Sequence, residues 1–374
     1  MGGGTRGRRR TGRLGADVIK VETTGGDPMR HLFRPPPDSP AAHAPSFSAV
    51  NRGKRSVELD LATTTGRDVR EALLSRADVF VTNLRPGALE RLGLAPALAT
   101  DRHPRLVYCS VTAYGWEGPE REAAGYDLAA FFGRAGVLHQ LTPPGSSPAP
   151  FMNGLGDMFT AMSAVAGVLA AVNDRHHTGR GRFVEASLLR SGMWSLAGEI
   201  GMAANGAAPK PVADRNESRT PLFNVYRTSD DHWFVLVGVE ADRHLPAVIA
   251  AVGRPELLDD ERFADARAVG RNRAAFIAEL DAEFVRRPLA EWSQRFAEHD
   301  VWWGPVQTPL EVAADAQAEA AGAWVQVAGP DGVDRGRSVG APIRFDGETR
   351  GRVTDAPDLG QHTEEILAEI EGKR

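Results

Sequence analysis

Short apolar segments alternate with helical ones over the first third of this chain, and that alternation limits the folds open to it more than any other feature. Residues 16–21 (Ala-Asp-Val-Ile-Lys-Val) and 56–61 (Ser-Val-Glu-Leu-Asp-Leu) read as strands, the second with apolar residues at every other position. A helix over roughly 66–76 follows, with Val69, Ala72 and Leu73 on one face. Residues 78–81 (Asp-Val-Phe-Val) and 105–111 (Arg-Leu-Val-Tyr-Cys-Ser-Val) read as further strands, with a short helix after Pro86-Gly87 between them. Strands in such alternation form a parallel sheet covered by helices on both faces, a doubly wound, Rossmann-like α/β layout. No G-x-G-x-x-G follows a strand, so nothing points to a dinucleotide.

Beyond residue 118 comes a stretch rich in proline and glycine with one helical piece, 126–136, then a long uncharged helix, 158–173, expected to be buried. A Thr178-Gly-Arg-Gly turn leads to a strand near 183–186 and a helix from Leu188. Residues 209–221 are polar and proline-bearing, as in a linker. After it, a strand at 233–237 and three helical stretches to about 298 make a small α/β domain. A helix is expected at 311–322, followed by the segment 324–327 (Trp-Val-Gln-Val) and an extended segment at 341–345. The expected organisation is therefore a tail (1–13), a large domain (14–208), a linker (209–221), a small domain (222–308) and a return to the large domain (309–374). With 374 residues, two lobes rather than one small core are in keeping.

Composition narrows the function. The net charge of -5 argues against a general nucleic-acid binder, which needs a basic face. Cys109 is the one cysteine, so no intrachain disulfide forms and a reducing, cytoplasmic compartment is expected. No stretch reads as a membrane span. The glycine- and arginine-rich residues 1–13 lack the apolar core of a secretory signal and read as a tail that cannot bury itself.

Ligands of open parallel sheets bind at the carboxyl ends of the strands. Thr82-Asn83-Leu84-Arg85-Pro86-Gly87 occupies such an end. Asn83, Arg85, Arg91 and the first amides of the helix could seat a phosphate; equally, Asn83 could cap the helix and the arginines be solvated. Gly154-Leu155-Gly156-Asp157 is a second candidate, where Asp157 is either a helix N-cap or a nucleophilic carboxylate at the positive helix end. Tyr126-Asp127 after Gly125 is a helix start or a substrate contact. Cys109 reads as core, and the His176-His177 pair lacks a third ligand at metal spacing, so no metal is expected. Ser187 and Ser191 lack a G-x-S-x-G elbow, which leaves no sign of a hydrolase triad.

Taken in order, Gly15-Ala-Asp-Val-Ile-Lys-Val-Glu22, Asn51-Arg-Gly-Lys-Arg-Ser-Val-Glu-Leu59, Ala77-Asp-Val-Phe-Val-Thr-Asn-Leu-Arg-Pro-Gly87, Ala124-Gly-Tyr-Asp127, Gly156-Asp157 and Thr178-Gly-Arg-Gly-Arg-Phe-Val-Glu-Ala-Ser-Leu188 resemble the family III (CaiB/BaiF-like) CoA transferases, a group that includes α-methylacyl-CoA racemase by homology. The resemblance runs from Gly15 nearly to the end. It implies a nucleophilic Asp157 and CoA contacts at Arg30, Leu59, Asn83, Leu84, Arg91 and Tyr126. It also implies acyl-CoA and carboxylic acid substrates, an interlocked homodimer and no metal. Racemases carry histidine where this chain has Tyr126, and a phenol with a reference pKa of about 10 is a poor base at neutral pH. Glu240, however, stands where racemases carry an acidic partner. Ala62 and Ala124 stand where the family sometimes has lysine, and the arginine-rich tail replaces its usual first strand, so a truncated, inactive CoA binder is a further alternative. Phe131, Phe132, Phe151 and Met152 hint at an apolar acyl pocket.

Overall fold

The computed structural model of the chain describes residues 15–32, 45–149, 154–208, 214–218, 220–329, 331–346 and 352–372; the tail 1–13, Phe151, Met152 and part of the linker lie outside these. The chain forms two compact units, one of residues 1–125, 157–191 and 315–374, the other of 126–156 and 192–314.

In the first unit β1 (Ile19–Glu22) pairs in parallel with β2 (Arg55–Glu58), Val21 opposite Val57. A second parallel set has the order β3 (Val79–Thr82), β4 (Val107–Thr112), β5 (Phe183–Ser187). The expected parallel pairing is present, with the described strands hydrogen-bonded in two sets. β4 begins two residues later than its apolar run suggests, because the Leu106 amide closes a turn onto the His103 carbonyl. The helices Thr64–Leu74 and Thr363–Glu371 pack Val69, Leu73, Ile366 and Ile370 against Val57 and Leu59 of the β1–β2 ribbon. Arg55 ties that C-terminal return down through Glu369 at 3.0 Å, while also pairing with Asp17 ahead of β1 at 2.6 Å.

Glu22, buried at the end of β1, is the polar hub of this ribbon. It accepts from Arg30 Nε at 2.8 Å, Arg30 Nη2 at 2.7 Å and the Ser56 hydroxyl at 2.7 Å. Burial alone pushes its carboxyl up; hydrogen bonds from Arg30, Ser56 and the Asp27 amide, with the Arg30 charge, outweigh that and hold it at about 2. A group lowered on folding stabilises the fold above its unfolded value and loses that contribution as pH falls through the folded one. The window here runs from 4.5 to about 2 and corresponds to roughly 3 kcal/mol. Glu22→Gln should therefore melt well below the wild type at neutral pH and converge on it near pH 2. An equal penalty at both ends of a thermal-melt series would contradict this account.

The long helix Leu155–Thr178 is the main departure from expectation. Thr160, Ala164, Ala171 and Arg175 form its buried stripe, and Ala164 packs with Cys109 and Ala186 on the β4–β5 face. A Cβ on Gly167 would come 2.7 Å from Val184, so small residues set the close approach of helix to sheet. Arg175 locks the far end by donating to the Asp78 and Arg105 carbonyls at 3.1 and 3.0 Å. The large apolar side chains Phe159, Met162, Val165 and Leu169 point outward and are exposed. The helix was expected to be buried, but its most apolar window is only 22% buried. With a mean hydropathy of 1.7 over that window, it also has the length and composition of a membrane span, which the sequence alone did not suggest.

A third sheet in this unit has the order β10 (Asp334–Val339), β9 (Trp324–Ala328), β11 (Arg352–Thr354). The expected helix 311–322 is split into Pro309–Ala314 and Ala316–Ala320, because Asp315 caps a new start by accepting from the Gln317 and Ala318 amides. Residues 341–345 form no strand.

The second unit contains the antiparallel sheet β6 (Val225–Arg227), β7 (Trp233–Leu236), β8 (Trp303–Val306). Helices Ala241–Val252, Arg273–Phe284 and Leu289–Glu298 cover an aromatic core in which Phe234 meets Phe284 edge-on at 4.9 Å. Residues 126–156 add a π-helix, Leu128–Arg134.

Candidate functional site

Asp157 is the third residue of the long helix, exposed in its first turn. The Gly156 amide beside it donates to the Asp127 carboxylate at 3.3 Å, so Asp127 serves this helix start as an acceptor from outside the helix. The sequence left Asp157 open between N-cap and nucleophile; its place inside the helix removes the N-cap reading.

At the end of β3 the side chains of Asn83, Leu84, Arg85 and Arg91 are exposed. The amide seat foreseen for a phosphate is differently arranged. Arg85, not Asn83, is the cap residue of the six-residue helix Pro86–Arg91 and makes no side-chain cap bond. The Gly87 amide is taken by the Glu122 carboxylate at 2.9 Å, and Arg85 donates to the Glu122 carbonyl at 3.1 Å. The arginine side chains, rather than the helix amides, are what remains there for an anion. Glu122 lies 35 residues beyond Gly87, so no local pattern could have paired them.

Arg30 and Leu59 meet through Glu22. Arg30 is half-buried, bidentate on Glu22, bonded to the Pro357 carbonyl at 2.9 Å and stacked 4.4 Å over the Phe47 ring. The Leu59 side chain is core, and its amide donates to the Glu22 carbonyl at 2.8 Å. Beside them, at the carboxyl ends of β1 and β2, opens a cavity of about 620 Å³ lined by Thr24, Glu58, Asp60, Gly360, Thr363 and Glu364. The sequence reading missed it, because most of its wall comes from the C-terminal return some 300 residues away. Three carboxylates in the wall favour hydrogen-bond donors over phosphates.

Tyr126, 88% exposed, belongs to the second unit, and its carbonyl accepts from the Ala129 and Ala130 amides at the entry to the π-helix. Phe131 and Phe132 are core, 5.2 Å apart edge-on, and do not line an open acyl pocket. Cys109 is buried as expected, and burial pushes its thiol up. No cluster suited to a metal occurs among the described residues.

The profile of CoA-transferase family III matches residues 9–363. The chain is 30% identical, over 96% of its length and 90% of the relative's, to (R)-2-hydroxy-4-methylpentanoate CoA-transferase of Clostridioides difficile. It is 29% identical to succinyl-CoA:glutarate CoA-transferase of Mus musculus, over 96% of this chain and 81% of that protein. A CaiB/BaiF family protein from Brucella suis superposes with a TM-score of 0.81 at 31% identity, covering 96% of this chain and 93% of that one. With a profile match across nearly its whole length and a fold shared with a CaiB/BaiF protein, this chain belongs to CoA-transferase family III.

Proposed function

We propose that the protein moves CoA from an acyl-CoA donor to a carboxylic acid acceptor by way of a thioester on Asp157. The Asp157 carboxylate attacks the acyl-CoA carbonyl, a C–O bond forms, the C–S bond breaks and CoA leaves as its thiolate. The thiolate attacks the aspartyl carbonyl of the mixed anhydride, giving aspartyl-CoA and the donor acid as its carboxylate. The acceptor carboxylate then attacks aspartyl-CoA, releasing the thiolate, which attacks the acceptor carbonyl of the new anhydride and restores Asp157. Every proton and charge balances without an added base or metal.

The observation that carries this reading is the position of Asp157. The carboxylate sits in the first turn of a long helix, where the helix field favours an anion, while another carboxylate receives the neighbouring amide. Arg85 and Arg91 suit the CoA phosphates, roughly four negative charges in all. The acidic cavity beside Leu59 suits the adenine amine and ribose hydroxyls. The exposed apolar stripe of the long helix suits a second copy of the chain, and we assign the working form to a homodimer in the cytoplasm. Racemisation is the second reading, kept by Glu240 and opposed by a tyrosine at position 126.

Incubation with an acyl-CoA followed by hydroxylamine should convert Asp157, and no other carboxylate, to a hydroxamate found by peptide mass spectrometry. Absence of that label, with α-proton exchange from deuterated water but no CoA transfer, would replace transfer by racemisation.

A further inference from the structure

We propose that His232 is a pH-operated clasp within the second unit: as an imidazolium it ties the helix Pro309–Ala314 to the β6–β7 hairpin, and on losing its proton it loosens that helix. His232 stands where the hairpin re-enters β7, and its carbonyl accepts from the Thr228 amide at 2.9 Å. Its Nε2 lies 3.0 Å from Glu311 Oε1 and its Nδ1 lies 3.4 Å from Asp230 Oδ2. Each carboxylate is fixed by its other oxygen. Asp230 Oδ1 accepts from the Thr228 hydroxyl and from the Leu289 amide. Glu311 Oε2 accepts from the Thr308 amide and hydroxyl, each at 2.7 Å, while Thr308 Oγ1 receives the Glu311 amide at 3.3 Å. That reciprocal pair is a capping box, so Glu311 cannot turn away from the imidazole without uncapping its own helix.

Two fixed oxygens call for two donors. Only the charged imidazole carries an N–H on each nitrogen; the neutral ring must turn a lone pair toward one of the carboxylates. The other charged groups around the hairpin are matched. Asp231 pairs with Arg227 at 2.8 Å, Arg287 with Glu291 at 2.6 Å and Arg286 with Glu283 at 3.2 Å. Arg215, 5.9 Å over the ring of Trp233, pairs with Asp281 at 2.7 Å. The charge facing His232 is therefore negative. The Glu311 hydrogen bond raises the imidazole above its ordinary 6.5; partial desolvation opposes this, and the Asp230 and Glu311 charges add to the rise. Asp230, chiefly through the Thr228 hydroxyl, and Glu311, chiefly through the Thr308 amide, are held below their ordinary values and stay charged in that range. A group raised on folding contributes fully below its unfolded value and loses that contribution as pH rises through the folded one. The clasp is thus shut below 6.5 and loosens above it. No residue of the helix is buried, and Leu310 and Val312 are exposed, so little apolar packing stands in for the clasp.

Amide hydrogen exchange on the full chain, each rate divided by its intrinsic value at that pH, reads the clasp at this helix, where the Val312 amide bonds to the Thr308 carbonyl at 3.0 Å. Protection should fall by about two- to fivefold between about pH 5.5 and about pH 8.5, the size set by an exposed ion pair. In His232→Gln it should be flat across the same range. The ring-proton resonance of His232, assigned by its loss in His232→Gln, should titrate above 6.5. A wild-type helix whose protection does not change with pH, a step that survives in His232→Gln, or a ring that titrates at or below 6.5 overturns the proposal.

Discussion

Asp157→Ala is expected to lower CoA transfer by about 10⁴-fold or more while leaving the melting temperature close to that of the wild type. The size follows from covalent catalysis: without the carboxylate neither anhydride nor the aspartyl thioester forms, and loss of a nucleophile typically costs on the order of 10⁴ to 10⁶ in kcat. The unchanged stability follows from the structure. Asp157 is exposed in the first turn, alanine is the best helix former, and the Gly156 amide is held by Asp127 rather than by Asp157. Chromatography of the acyl-CoA pool with any accepted donor–acceptor pair checks it. The same variant should lose the hydroxylamine-labelled peptide. Transfer within about tenfold of wild type would leave the fold and the family standing and remove the proposed chemistry.

What the sequence disclosed follows from the range of the interactions involved. Val79–Thr82 and Val107–Thr112 were legible as strands because an apolar run between turns reports burial directly. The Thr178-Gly-Arg-Gly turn was legible as well, but not the reason for its second glycine: a Cβ on Gly181 would come 1.9 Å from the Leu106 carbonyl oxygen, a clash with a segment 75 residues earlier. The break at Asp315 could have been read, since an aspartate with two free amides ahead of it caps a helix, yet the alanine-rich run on either side outweighed it. At the site, Asp157 was legible as a carboxylate at a helix start, whereas Asp127 as the acceptor beside it was not, because its partner amide lies 29 residues on. Glu122 over Gly87 and the cavity wall from Gly360 to Glu364 were hidden in the same way. The two-sided character of the long helix escaped for another reason. Its residues are apolar all round, so periodicity could not separate the small side chains that face the sheet from the large ones that face outward.

If, as proposed, a second copy covers the outward face of the long helix, Leu169→Glu is expected to weaken that association, with a dissociation constant on the order of 10³-fold higher. Leu169 is 57% exposed, on the same outward side as Met162 and Val165. A helix that turns alanine, threonine and glycine toward its own sheet and leucine, methionine and phenylalanine away from it has its greater apolar area on the wrong side for an isolated chain. A second copy offers the same stripe and would cover both at once, as a two-fold interface requires. Burying a leucine contributes about 1.5–3 kcal/mol, and a carboxylate in its place adds an unpaired charge to be desolvated. Because Leu169 is already partly covered in one copy, these amount to roughly 2 kcal/mol per copy and roughly 4 kcal/mol over the two copies of a two-fold interface, which is the thousandfold stated. Light scattering across a dilution series reads the mass. Leu169→Ala, with no added charge, should weaken association far less, and the fold itself should be untouched because the residue makes no part of the buried stripe formed by Thr160, Ala164, Ala171 and Arg175. A wild-type chain that stays monomeric throughout, or a Leu169→Glu chain that dimerises as the wild type does, would show that this apolar face is covered by something other than a second copy.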